Sequence, residues 1–309
     1  MSFQSSFVPD SSFLKSLWKF SRPHTIIGTS LSVFALYFIA LSTTDTTISV
    51  FSIETMLAAW IACLCGNVYI VGLNQLYDVE IDRINKPHLP VASGAFTLKQ
   101  GWIIVGLMGI SAIAIAALSG TWLLATVGVS LILGTAYSLP PIRLKQFPFF
   151  AAFCILTVRG IVVNLGLFLY YTQKFQGQSF ISLEVWLLTL FILLFTIAIA
   201  IFKDVPDLEG DKKYNIATFS LILGKKRVFQ ITRSVITLCY GGMIVAAFIG
   251  LKNINATFFV GYHLILLGLL WWRSSNVNLE DKSAIASFYQ FIWKLFFLEY
   301  LLFPLACFI

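Results

Sequence analysis

The sequence predicts an all-α, polytopic membrane protein with nine membrane-spanning helices, and three observations predict it. The 309-residue chain is 58% hydrophobic and only 11% charged, with a mean hydropathy of +0.87, whereas soluble domains carry roughly 25% charged residues. Nine apolar stretches approach the length of about 20 residues that crosses a hydrocarbon core. Lys and Arg are shared unequally between alternate connections, as they are in membrane proteins of fixed orientation.

Ahead of the spans, residues 1–22 form an N-terminal segment, and 23–309 read as one transmembrane domain. The first dozen residues hold no Lys or Arg, which argues against a secretory or transit peptide. Phe13, Leu14, Leu17 and Trp18 then share one helical face and Lys15, Ser16 and Lys19 the other, the pattern of a short interfacial helix.

The spans fall at 23–42, 56–77, 101–119, 122–139, 148–171, 184–203, 228–250, 256–272 and 287–308. Ser119-Gly120, Pro140-Pro141 and Gln176-Gly177 separate some of them, and polar runs after 78, 203 and 273 separate others. Backbone N–H and C=O groups find no water in lipid, so each stretch is read as a helix.

Lys15, Lys19 and Arg22 precede the first span, and Arg83, Lys86, Lys99, Arg143, Lys145, Lys203, Lys212, Lys213, Lys225 to Arg227, Arg273 and Lys282 follow even-numbered ones. The opposite connections hold only Lys174 and Lys252. The N-terminus is therefore expected on the cytoplasmic or stromal side. The basic balance, +7 with a pI near 9.1, does not indicate nucleic acid, because the cations flank apolar spans. The five cysteines lie inside apolar stretches and read as small core residues.

Half of the fourteen acidic residues crowd into two short segments. Asp78, Glu80 and Asp82 follow the second span; Asp204, Asp207, Glu209 and Asp211 follow the sixth. The Asp-x3-Asp pairs are offset by 129 residues, which points to parallel four-helix repeats with a ninth helix added. At helical pitch Asn67, Asn74, Asp78 and Asp82 make one polar stripe; Glu80 and Glu209 fall off the stripes and read as solvent-facing. Such carboxylate density requires cations, and oxygen donors without His or Cys select Mg2+ or Ca2+. Two facing motifs suit Mg2+ ions bridging a diphosphate, with Arg83, Lys86, Lys203, Lys212 and Lys213 completing the clamp. A transporter also carries buried acids, but would place them near the bilayer midplane, whereas these gather at one face.

At these residues the chain resembles the UbiA superfamily of intramembrane prenyltransferases, which carries Asn-x3-Asp-x3-Asp after its second helix and Asp-x3-Asp after its sixth. The resemblance covers nearly the whole chain. It implies a nine-helix fold, Mg2+ as cofactor, and an isoprenoid diphosphate and a small aromatic acid as substrates. It implies Asn74, Asp78, Asp82, Asp207 and Asp211 as Mg-diphosphate ligands, with Asp204 as a further acidic position. The stretch Tyr137 to Lys145 is also similar and implies Arg143 and Lys145 as diphosphate contacts; as residues they equally suit membrane-surface anchors.

Arg22 to Thr25, Arg159-Gly160-x3-Asn164 and Lys203 to Asp211 resemble the homogentisate-prenylating branch of cyanobacteria and plastids, whose product leads to tocopherols. That branch implies a phytyl donor and loss of CO2. Chlorophyllide, 4-hydroxybenzoate and naphthoates are the alternative acceptors. Ionisation of the diphosphate leaves an allylic cation, for which Tyr77 and Tyr137 are the nearest aromatic faces. Arg22, His24, Arg159 and Asn164 are the candidates to meet the anionic acceptor, since an Arg inside a span is a functional residue by default. His88 and His263 read as structural, while Lys294 and Glu299, about 140° apart on the last helix, cannot pair with each other.

Overall fold

The computed structural model describes residues 11–203, 205, 222–251 and 254–309. Helix α1 (Ser11–Phe20) leads into α2 (Pro23–Thr43), α3 (Val50–Tyr77), the short α4 (Val79–Asn85), α5 (Leu98–Ser119) and α6 (Thr121–Ser138). A single long span follows, composed of α7 (Pro148–Leu156), a π-helical turn (Thr157–Val162) and α8 (Val163–Gln176). The bundle is completed by α9 (Leu183–Phe202), α10 (Lys225–Ala246), α11 (Ala256–Ser275) and α12 (Lys282–Phe308). Among the described residues nine helical segments are long and apolar enough to cross a membrane, as the hydropathy pattern predicts.

Local chemistry sets the helix ends. Ser49 and Ser52 form a reciprocal capping box that starts α3 at Val50, six residues before the apolar run expected to open it. Thr97 and Gln100 cap α5 in the same way, and Asn255 and Asp281 accept from the first-turn N–H groups of α11 and α12. In α1, Phe13 and Leu17 pack on a small cluster around Phe20, Leu73 and Phe96, while Leu14 and Trp18 stay about half exposed. The four residues read as one apolar face are thus divided between the cluster and the exposed surface.

The main core joins α2, α3, α5, α6 and α8 to α12, and it is rich in enclosed aromatic rings such as Tyr171, Phe191, Phe195, Phe202, Phe288 and Phe303. Lipid tails are as apolar as these rings, so the bundle is held by close packing and internal hydrogen bonds more than by transfer from water. The five cysteines are free thiols within it.

A polar cluster sits inside this packing. Glu299 of α12 is fully buried; it accepts from Tyr262 Oη at 3.2 Å and lies 3.4 Å from His263 Nε2. His263 Nδ1 donates to the Phe259 carbonyl at 2.7 Å, which orients the other ring nitrogen toward the carboxyl group. Lys294 is exposed on another face, so the two charged residues of α12 serve separate surroundings. Replacing Glu299 by Leu strands both His263 and Tyr262 and should cost about 1–3 kcal/mol. Thermal unfolding in detergent should show a clear drop for Glu299→Leu and a smaller one for Glu299→Gln, which keeps an acceptor.

Candidate active site

Helix α3 stops at Tyr77, and Asp78 caps it at φ −111°, ψ 17° before α4 begins at Val79. The polar stripe expected to run unbroken to Asp82 is interrupted here, at a residue type whose short carboxylate favours helix ends over interiors. Its carboxylate is instead shared among three donors. Arg143 Nη2 donates to Oδ1 at 2.9 Å, and Lys145 Nζ and Asn74 Nδ2 donate to Oδ2, the latter at 3.1 Å. Arg22 Nη2 completes the chain by donating to Asn74 Oδ1 at 3.1 Å. The Asp78 and Lys145 side chains are each only 13% exposed, a depth at which an unpaired charge costs several kcal/mol.

Two of these donors stand on unusual backbone. Arg22 (φ 53°) and Arg143 (φ 35°) occupy the left-handed region without being glycine, which costs roughly 1–2 kcal/mol each. Such conformations persist where the surroundings hold them, and they concentrate at functional sites. Arg22 precedes Pro23 at the start of α2, and Arg143 precedes a 3-10 turn, Leu144–Gln146. Both turns bring a guanidinium onto the Asn74–Asp78 pair.

Asp82 is buried, and its Oδ2 has no hydrogen-bond partner among the described residues. Burial raises its carboxyl above the ordinary value, against the pull of Lys86 and Arg22. Burial lowers the Lys145 ammonium, opposed by its contact with Asp78. Asn74, Asp78 and the unpartnered Asp82 oxygen offer hard-oxygen donors, the chemistry Mg2+ takes, though among the described residues they are not gathered into a coordination cluster.

Other expected contacts are placed differently. Arg83 pairs with the exposed Glu80 at 2.8 Å and is itself mostly exposed, so the intrahelical partner holds it at the surface of α4. Lys86 caps α4 and acts electrostatically on Asp82 and His24. Lys203 is exposed at the end of α9. Asp204, Asp207, Asp211, Lys212 and Lys213 lie outside the described residues.

A cavity of about 330 Å³ opens beside this network. Arg22, His24, Asn74 and Tyr137 stand on its lining together with apolar residues such as Ile70, Val127 and Leu131. Tyr137 reaches it because Gly134 lets α6 close on α3; a Cβ there would come within 2.6 Å of Ile70. Tyr77 does not line this cavity and packs edge-on against Trp102 instead.

Farther into the bundle Arg159 lines the same cavity, its guanidinium 5.1 Å from the Trp293 ring and 6.0 Å from that of Phe296. No carboxylate pairs with it among the described residues. His24 meets Trp293 edge-on at 6.0 Å, so two of the four expected acceptor residues, His24 and Arg159, converge on one indole. Asn164 does not line the cavity: it is fully buried behind the wall, and its amide is engaged within the protein.

Trp293, Phe296 and Tyr300 are lining residues absent from the sequence-derived candidates. Their i, i+3, i+7 spacing puts them on one face of α12, but in a chain with 29 Phe, 11 Tyr and 8 Trp such a face carries no distinguishing signal. The π turn at Arg159 was likewise not expected, since an apolar run of 148–171 reads as a regular helix.

The family model described as the UbiA prenyltransferase family matches residues 31–295. A homogentisate phytyltransferase of Synechocystis sp. is 57% identical to this chain over 95% of it and 96% of the relative. A chloroplastic homogentisate phytyltransferase of Arabidopsis thaliana is 43% identical, covering 94% of this chain and 75% of that protein. The solved structure of a UbiA homolog from Archaeoglobus fulgidus bound to GPP and Mg2+ matches with a TM-score of 0.60 at 16% identity, over 94% of this chain and 99% of that one. With a family model across most of its length and relatives this similar, the chain belongs to the UbiA prenyltransferase family, as an all-helical integral-membrane prenyltransferase.

Proposed function

We propose that the chain transfers a phytyl group from its diphosphate to homogentisate, with loss of CO2, on the route to tocopherols. One observation carries this reading: a single cavity joins a carboxylate–cation network at one end to an Arg159 guanidinium on an aromatic shelf, with no carboxylate partner among the described residues. The names of the Synechocystis and Arabidopsis relatives support the donor and acceptor. Their sources, a cyanobacterium and a chloroplast, support an inner, thylakoid or plastid membrane, and the Lys/Arg asymmetry supports a cytoplasmic or stromal N-terminus.

In this reading Asn74, Asp78 and Asp82, with Asp204, Asp207 and Asp211 of the second motif, hold Mg2+. When bound, the metal supplies charge for the departing diphosphate. Arg143 and Lys145 supply donors at the same place, and Lys86, Arg83, Lys203 and Lys212 add positive charge around it. The C–O bond to the diphosphate breaks, and Tyr137 presents an aromatic face to the allylic cation. Arg159 binds the acceptor carboxylate, and Arg22 and His24 close the polar side of the ring. A ring carbon then bonds to the prenyl carbon and its proton leaves, while the CH2–COO⁻ group releases CO2 and takes up a proton.

The direct test incubates membranes holding the chain with Mg2+, phytyl and geranylgeranyl diphosphates and a panel of aromatic acids, read by mass spectrometry. A phytylated, decarboxylated product from homogentisate, lost with EDTA and restored by Mg2+, is expected; a product from a different acid alone contradicts the reading. Asp78→Asn should lower kcat on the order of 100-fold or more. Arg159→Ala should raise the acceptor KM about tenfold while leaving the donor KM near wild type; an equal rise in both would remove Arg159 from the acceptor site.

A further inference from the structure

The π turn under Arg159 is held by side chains that do not belong to the helix ladder. In the turn Thr157–Val162 the chain widens, and the Val163 N–H reaches the Val158 carbonyl five residues back. A widened turn loosens neighbouring carbonyls, which in lipid must find a partner inside the protein. Asn164 supplies one: its Nδ2 donates to the Gly160 carbonyl at 2.9 Å and reaches the Arg159 carbonyl at 3.4 Å. Its Oδ1 in turn accepts from Tyr300 Oη of α12 at 2.9 Å. Asn164 is fully buried and Tyr300 nearly so. Arg159, in the same turn, reaches Trp293, seven residues before Tyr300 on the same helix face.

We infer that Asn164 and Tyr300 form a clamp that fixes the π turn and so aims the Arg159 guanidinium at the carboxylate of the acceptor. The inference rests on the reading of Arg159 given above and assigns the two residues a positioning role. Asn164 touches no part of the cavity; it acts by setting where Arg159 stands relative to Trp293. A guanidinium displaced by about 1 Å still balances charge, yet loses the oriented contact that separates a carboxylate from a neutral group. The clamp therefore governs discrimination between charged and uncharged acceptors more than turnover as such.

Two readouts test this on the full-length chain in detergent or lipid. Hydrogen–deuterium exchange by mass spectrometry should quicken in the peptide spanning 157–164 for Asn164→Ala and for Tyr300→Phe, and by more there than in the other spans, which separates a local loosening from a general loss of stability. Unchanged exchange there overturns the clamp, whatever the acceptor proves to be. In kinetics, the preference for homogentisate over its methyl ester, as a ratio of kcat/KM, should fall about tenfold in both variants, with the donor KM unaltered. Faster exchange with an unchanged ratio, or equal loss on acid and ester, also overturns the proposal. Arg159→Ala serves as the reference: if it leaves the acid-to-ester ratio intact, the fault lies with the acceptor reading, and the exchange arm alone judges the clamp.

Discussion

Neutralising Asp78 at the edge of an apolar bundle is the constraint from which the rest of this architecture follows. A carboxylate that is 13% exposed must be met by positive charge and hydrogen-bond donors. Those donors come from parts of the chain far apart in sequence: Asn74 from α3, Arg143 and Lys145 from the segment after α6, and Arg22, through Asn74, from the start of α2. The requirement therefore sets where α2 begins, where α3 ends and how the chain turns after α6. It also accounts for the backbone at Arg22 and Arg143, where left-handed conformations are kept because the guanidinium groups they deliver stabilise the cluster.

The second half of the cavity answers a different need. Its walls are largely apolar, and within them Arg159 is placed against Trp293 and Phe296, with His24 meeting the same indole. Cation–π contact partly compensates a buried guanidinium without consuming its hydrogen-bond donors. The donors stay available for an anion, which an ion pair with a protein carboxylate would have prevented. In the proposed reading, charge for a diphosphate at one end and the Arg159 guanidinium at the other divide the cavity into donor and acceptor regions. The buried Glu299, His263 and Tyr262 group stands apart from both and ties α11 to α12, the helix that carries the aromatic shelf.

Much of this was legible in the sequence because the bilayer restricts the solutions. Span number followed from hydropathy and the Lys/Arg asymmetry, and the crowding of carboxylates after the second span drew attention to Asp78 and Asp82, while the second acidic segment lies outside the described residues. Arg159 stood out because an arginine inside a span demands a reason. What stayed hidden depends on geometry that residue types do not encode. The break at Asp78 and the π turn each alter a helix by a residue or less, too little to shift a periodicity. Asn164 was identified as functional by its company with Arg159, but only the structure places it behind the wall, bonded to Gly160 and Tyr300. Trp293 and Tyr300 were lost among many aromatic residues until the fold brought one face of α12 to the cavity.

The central claim is that the Asp78 network is the diphosphate end of the site. Isothermal titration of the detergent-solubilised chain with inorganic pyrophosphate, with and without Mg2+, tests it apart from any acceptor chemistry. The account predicts saturable binding that requires Mg2+, is abolished in Asp78→Asn, and is weakened in Lys145→Ala while Arg159→Ala binds as wild type. Pyrophosphate binding that ignores Mg2+ and survives Asp78→Asn would contradict it.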